Sequence, residues 1–247
     1  MKTAVLLLAL AAVAFCIDQA DIFSTDLGPV STTPIYNTAM MIEGGGKVIQ
    51  VDPSGQANYK GLPKADLVLI TLDDPEHLDP AAMAKISKKN TAIICPPGPA
   101  GKLQHATGLS YGETVGFGDI SIQAVPAYNV APEGSDQKPL HPKGQGNGYI
   151  LTYPGLRLYI SGDTSLLPEL KKLKNIEVAF ISVGAPGTLT TAEAADLIKA
   201  LKPHVVYPNH YLKANPDDIK SQMTTPGVEI RKRYWYLRTT WSKLRSA

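Results

Sequence analysis

The sequence predicts an α/β protein built from short buried strands, and three observations carry that reading. Apolar runs at residues 67–71, 91–95 and 178–183 are too short for free helices and suit core strands. Helix-start signals lie between them: Asp79 followed by Pro80, and Thr190 with Glu193 three residues on. The 20 prolines and 21 glycines fall mostly between apolar runs, which favours short elements and tight loops over a helical bundle. A chain of 247 residues suffices for one large domain of this class, and no linker or internal repeat divides it.

Residues 1–16 stand apart. Lys2 precedes an unbroken apolar stretch at 4–15, and Ala12-Val13-Ala14 supplies the small residues of a cleavage site. This reads as a secretory signal peptide, too short to span a bilayer, so the protein is expected to be secreted as a single domain over 17–247. A lipoprotein signal ending at Cys16 fits less well, because bulky Phe15 comes directly before that cysteine. Residues 17–31 show no clear period and lead into the domain. Residues 34–42 and 47–51 read as a hairpin turning on Gly44-Gly45-Gly46, closed by Asp52-Pro53-Ser54-Gly55.

Strand 67–71 then delivers Asp73, Asp74, Glu76, His77 and Asp79, and a helix over 80–89 leaves with Asp79 as its cap. Strand 91–95 carries Cys95, a small core hydrophobe before it is a nucleophile, and stops at Pro96-Pro97-Gly98-Pro99. Strands follow near 111–115 and at 120–125, the second running into Pro126-Ala127-Tyr128-Asn129. The polar loop over 130–147 contains His141, and a loop of that length in a compact domain usually covers something. Strands 148–152 and 156–161 form a second hairpin that ends in Gly162-Asp163-Thr164.

Residues 166–173 read as helical, and 178–183 as a strand. The Thr190–Glu193 capping box opens a helix to Leu201 with its core stripe on Ala194, Leu197, Ile198 and Leu201. Strand 204–207 ends in Pro208-Asn209-His210-Tyr211, and a short helix near 216–223 and a strand at 228–236 complete the chain.

Composition excludes some functions. A formal net charge of +2 gives no reason to expect nucleic acid or an acidic membrane as partner. Basic and aromatic residues do interleave over Arg231-Lys232-Arg233-Tyr234-Trp235-Tyr236 and on to Arg238, Trp241, Lys243 and Arg245, but a last strand with a basic tail explains them better. Gly44-Gly45-Gly46 reads as a hairpin turn without the following helix of a phosphate loop, and Ser161 forms no nucleophile elbow.

What remains is a pattern of strand ends. Four strands finish in ligand-capable residues: Asp74, Glu76 and His77; Asn129 and then His141; Asp163; and His210. In layered α/β proteins such ends converge on one rim. Two imidazoles with carboxylates suit one divalent ion, zinc before manganese or iron, which lowers the pKa of a bound water to about 7.

The same strand ends resemble the metallo-β-lactamase-fold hydrolases, in particular their single-domain zinc-dependent branch. The resemblance runs from about Thr33 to Tyr236, through Val51-Asp52-Pro53, Ala65-Asp66-Leu67-Val68-Leu69-Ile70-Thr71, Val125-Pro126-Ala127-Tyr128-Asn129, Ser161-Gly162-Asp163-Thr164 and Pro208-Asn209-His210-Tyr211. It implies a four-layer αββα sandwich with metal between the sheet edges. The family's His-x-His-x-Asp-His signature falls on Leu72, Asp74, Glu76 and His77, so only its last histidine is unchanged. Asn129 stands at the family's third-histidine position, while Asp163 and His210 are retained. The resemblance therefore implies one surviving metal site on Glu76, His77, Asp163 and His210, with Asp74 as general base or weak ligand and His141 in a lid or as an extra ligand.

Two functional readings follow. In the first, the rewritten site has reduced or lost hydrolysis, with no ion if the site is dead, leaving a secreted binding or structural protein. In the alternative, a mononuclear enzyme uses metal-activated water on an ester, amide, lactone or phosphodiester of small size. The losses at Leu72 and Asn129 favour the first; the intact His77, Asp163 and His210 favour the second.

Overall fold

The computed structural model describes residues 20–131, 136–212, 214–223 and 225–236. The expected signal segment and the tail from Arg238 onward lie outside them. Among the described residues, no helix is long and apolar enough to cross a membrane.

The first sheet contains β1 (Asp21–Thr25), β2 (Gly28–Tyr36), β3 (Ala39–Gly44), β4 (Lys47–Val51), β5 (Leu67–Leu69), β6 (Ala92–Cys95) and β7 (Ala106–Gly108), in that spatial order. The second runs from β8 (Thr114–Phe117) through β9 (Ile120–Ala127), β10 (Gly146–Tyr153), β11 (Leu156–Ile160), β12 (Val178–Ser182) and β13 (Val205–Asn209) to β14 (Glu229–Ile230). Both sheets are laid down the same way. β1 to β4 pair antiparallel and β4 to β7 parallel; β8 to β11 pair antiparallel and β11 to β14 parallel.

The alternation of side chains explains the layering. Leu67 and Leu69 of β5 and Ile94 of β6 join the core shared with Ile122, Ala124 and Leu151 of the second sheet. Their neighbours Val68, Ile70, Ile93 and Cys95 point the other way, onto Ala82 and Ile86 of α1 (Pro80–Ile86). Strands buried on both faces read as continuous apolar runs, as β5, β12 and β13 do. The stripe Ala194, Leu197, Ile198 and Leu201 of α3 (Thr191–Leu201) packs into the same core as the second sheet. This is the helix–sheet–sheet–helix sandwich; the remaining helices, α2 (Pro97–Ala100) and α4 (Asp217–Ser221), are single turns.

Several boundaries differ from the sequence reading, each for a local reason. Within the expected segment at 17–31, the described residues form a hairpin, β1 with the start of β2, and the alternation of half-buried and exposed residues in β1 hid its period. The stretch at 34–42 is broken by a turn at Asn37, whose φ of 57° places it in the left-handed region. At 111–115 the chain turns, Gly112 having positive φ, and the strand begins at Thr114. α1 stops at Ile86, before Ser87. The expected helix at 166–173 is only a 3-10 turn, Leu170–Lys172, because Pro168 has no N–H to give and restricts its neighbour. At 228–236 only Glu229 and Ile230 pair, against Val205 and Val206. The rest is a strap: Arg231 and Arg233 both bind Asp21 of β1, and the Trp235 carbonyl accepts from the Asn37 N–H at 2.9 Å.

Candidate metal centre

The site is built where β4, β5, β11 and β13 end. β5 is short because Thr71 turns to Asp52: the Thr71 N–H donates to Asp52 Oδ1 (2.8 Å) and its hydroxyl to Oδ2 (2.7 Å). Asp74 then folds the next turn. Its Oδ1 accepts from the backbone N–H of Glu76 (2.9 Å) and His77 (3.3 Å), and its carbonyl accepts from Leu78 (2.7 Å). That turn drives His77 inward and leaves the Glu76 side chain half exposed.

His77 is fully buried. Its Nδ1 lies 2.9 Å from Asp52 Oδ2 and 3.0 Å from Thr71 Oγ1, so its other nitrogen, Nε2, faces Asp163. Nε2 stands 3.4 Å from Asp163 Oδ2 and makes no aligned hydrogen bond. Asp163 is delivered by Gly162, where φ is +60° and a Cβ would come within 2.8 Å of the Asn147 carbonyl oxygen; only glycine fits. His210, after β13, also has left-handed backbone (φ 55°). Its Nδ1 is 3.2 Å from Asp163 Oδ1 and its Nε2 3.0 Å from Glu76 Oε2. One ligand atom from each of His77, Asp163 and His210 lies within 4.8 Å of the others.

The expected residues are therefore not equivalent. His77, Asp163 and His210 form the buried group. Glu76 is tied to it through His210 and steadied by Asn37, which donates to Glu76 Oε2 at 3.2 Å and accepts from the Tyr236 hydroxyl at 2.6 Å. Asp74 has one oxygen engaged by the turn. Asn129 and His141 bond to each other through backbone and amide groups. Leu72, 5% exposed, bridges to Gly146 and does not line the cavity.

Charge follows geometry. Burial works against a charged His77, but Asp163 and Asp52 outweigh it and hold its pKa well above the ordinary value. For His210, burial is likewise outweighed, by Asp163 and Glu76, and its pKa rises to about 9. Asp163 resists its own burial through the two imidazoles and stays far below the usual carboxylate range. The hydrogen bond from His210 lowers Glu76 despite partial burial. His141 goes the other way: burial, reinforced by the two imidazoles, lowers it although Asp163 and Asp74 pull upward. Burial also raises the Cys95 thiol to about 11, with help from Asp73, which removes it as a nucleophile.

A cavity of about 440 Å³ opens over the group, lined by Asp74, Pro75, Glu76, His77, Leu140, His141, Asp163, Ala185, Pro186, His210 and Leu212. A cleft of about 520 Å³ beside Gly44, Gly45 and Gly46 is larger, but its lining holds no histidine and only one acid, Glu43. The chemistry is at the smaller one. The donors fit a divalent ion: two imidazoles and a carboxylate converge, and a buried ring nitrogen of His77 makes no hydrogen bond among the described residues. The carboxylate behind the other nitrogen, Asp52, is the usual outer support of a metal-bound histidine.

Sequence reasoning missed Asp52, Thr71, Asn37 and Tyr236. Asp52 and Thr71 were legible, since each closes a strand with a polar side chain. Asn37 was hidden inside a stretch read as one strand, and Tyr236 lies 199 residues from its partner.

Comparison with known proteins agrees with this geometry. The family model of the beta-lactamase superfamily domain (Lactamase_B_3) matches residues 34–210. A UPF0173 metal-dependent hydrolase of Archaeoglobus fulgidus is 28% identical over 216 residues, covering 80% of this chain and 92% of that protein. The crystal structure of a candidate metal-dependent hydrolase from Parabacteroides distasonis superposes with a TM-score of 0.82 at 38% identity, over 88% of this chain and 99% of that one. Igni18, a metallo hydrolase of Ignicoccus hospitalis, shares the fold at a TM-score of 0.68 and 22% identity, covering 83% and 94% of the two chains. The chain belongs to the beta-lactamase superfamily and has the metallo-β-lactamase fold of its metal-dependent hydrolase family.

Proposed function

We propose that this protein is an exported, mononuclear metal-dependent hydrolase of small neutral acyl compounds, with esters, amides and lactones as its substrate class. The observation that carries it is the buried His77–Asp163–His210 group, with His77 Nε2 turned into it and making no aligned hydrogen bond among the described residues. His77, Asp163 and His210 would hold the ion, with zinc best suited and manganese or iron compatible, and Glu76 beside them. A bound ion supplies Lewis acidity and water acidified to a pKa of about 7. Asp52 fixes the His77 ring, Asp74 fixes the turn that carries it, and Leu140, Pro186 and Leu212 give the cavity apolar walls. No lysine or arginine lines the cavity among the described residues, which favours a neutral carbonyl over a phosphodiester. The apolar run after Lys2 supports export.

The relatives support the hydrolase over the reading in which hydrolysis has been lost, which Leu72 and Asn129 had favoured. Metal analysis after loading with zinc or manganese tests the choice: the wild-type chain should hold about one ion and His77→Ala none. The loaded chain should cleave p-nitrophenyl acetate faster than bis(p-nitrophenyl) phosphate and stop when the ion is chelated. A wild-type chain that takes up no metal would refute the proposal.

A further inference from the structure

Asn129 and His141 are clamped together at the mouth of the site. The Asn129 N–H donates to the His141 carbonyl (2.7 Å), and the His141 N–H donates to Asn129 Oδ1 (3.1 Å). The same amide donates from Nδ2 to the Gly187 carbonyl (2.8 Å). Gly187 has φ +79°, and a Cβ there would meet His141 Cε1 at 2.5 Å and Nδ1 at 2.7 Å. The imidazole is thus wedged with its Nδ1–Cε1 edge against the 185–188 turn, while the residue lines the cavity alongside His77, Asp163 and His210.

This wedge sorts the two ring nitrogens. Nδ1 is buried without a hydrogen-bond partner among the described residues, so a proton placed there would be a stranded donor. With Nδ1 enclosed, Nε2 is the nitrogen that can carry the proton to an acceptor, and His141 lines the cavity where a bound substrate would offer one. His141 also stands outside the three-residue group whose atoms lie within 4.8 Å of one another. Its neighbourhood is that of a donor rather than a ligand.

We propose that His141 is a catalytic residue of this hydrolase: its Nε2–H hydrogen-bonds the scissile carbonyl oxygen, with Asn129 and Gly187 as the residues that position it. The inference rests on the hydrolase reading above. The attacking water gives up a proton to solvent as its oxygen bonds to the carbonyl carbon. The C=O π pair moves onto oxygen, and the imidazole N–H stabilises that charge without giving up its own proton. Return of the pair then expels the leaving group, p-nitrophenolate in the test substrate. Asn129 thereby gains a purpose at the place where the family resemblance expects an imidazole. It holds the loop that supplies one from another direction.

Two measurements test this. Nitrogen-15 NMR of the histidine rings in the wild-type protein, with a His141→Gln sample for assignment, should show His141 neutral and protonated on Nε2; a proton on Nδ1 overturns the proposal. In the zinc-loaded protein, His141→Ala should keep its zinc and lose about 10²- to 10³-fold in kcat on p-nitrophenyl acetate, with KM little changed. His141→Gln, which retains a side-chain donor, should recover part of the loss. Full kcat in His141→Ala, or loss of zinc with the ring, overturns the proposal. Failure of the hydrolase reading is distinguishable, because it shows in the wild-type chain as absence of zinc before any His141 variant is compared.

Discussion

His77 sits between two carboxylates with different duties. Asp52 grips Nδ1 from behind, at 2.9 Å, and Asp163 stands before Nε2 at 3.4 Å. Asp52→Asn keeps the shape and removes the charge. It should weaken zinc binding by about 10- to 100-fold, read by competition with a chelator, while the fold persists. Protons compete for the same nitrogens, since His77 is held well above its ordinary pKa and His210 at about 9. Both must be deprotonated to bind an ion, so zinc affinity should rise with pH at least as far as the His210 value of about 9. At this scale the sequence pointed to the convergence of His77, Asp163 and His210, because each lies in the turn that leaves an apolar strand. It was a poor guide to Glu76, whose orientation depends on Asn37 and, through it, on Tyr236 at the far end of the chain.

Among the elements, α3 shows what local chemistry alone can specify. The Thr190 hydroxyl accepts from the Glu193 N–H (3.2 Å), the Glu193 carboxylate accepts from the Thr190 N–H (2.8 Å), and the apolar stripe faces the core. Everything needed lies within twelve consecutive residues, so the helix was readable to its ends. Thr190→Ala should cost about 1 kcal/mol in urea unfolding and leave the metal content unchanged. The strap after β14 is the opposite case. Its aromatic and basic residues looked like one long strand, yet what decides its path is Asp21, met by both Arg231 and Arg233 from more than two hundred residues away. Local pattern carries no trace of such a partner. The hairpin of β1 and β2 was hidden for a different reason: at the sheet edge β1 leaves Ile22 exposed and Phe23 only partly buried.

Taken whole, the molecule consists of two sheets drawn from successive halves of the chain, and the ligand group straddles them. His77 comes from the end of β5 in the first sheet; Asp163 and His210 come from the ends of β11 and β13 in the second. An ion held there ties the halves together and stabilises only the docked state. With free zinc at a hundred times its dissociation constant, unfolding should cost about 2.7 kcal/mol more than in chelator, and His77→Ala should abolish the difference. The class of fold was legible because β5 and β6 bury both their faces and so read as continuous apolar runs. The repetition of three antiparallel and then three parallel pairings in each sheet was not, since a one-dimensional pattern does not say which strands become neighbours.

That division between halves has a consequence for biogenesis. A nascent chain that has emerged only as far as Gly108 already owns Asp52, Thr71 and His77, but neither Asp163 nor His210. Ion capture must therefore wait for the last strands to be synthesised and docked, which makes metallation a report on finished assembly rather than a seed for it.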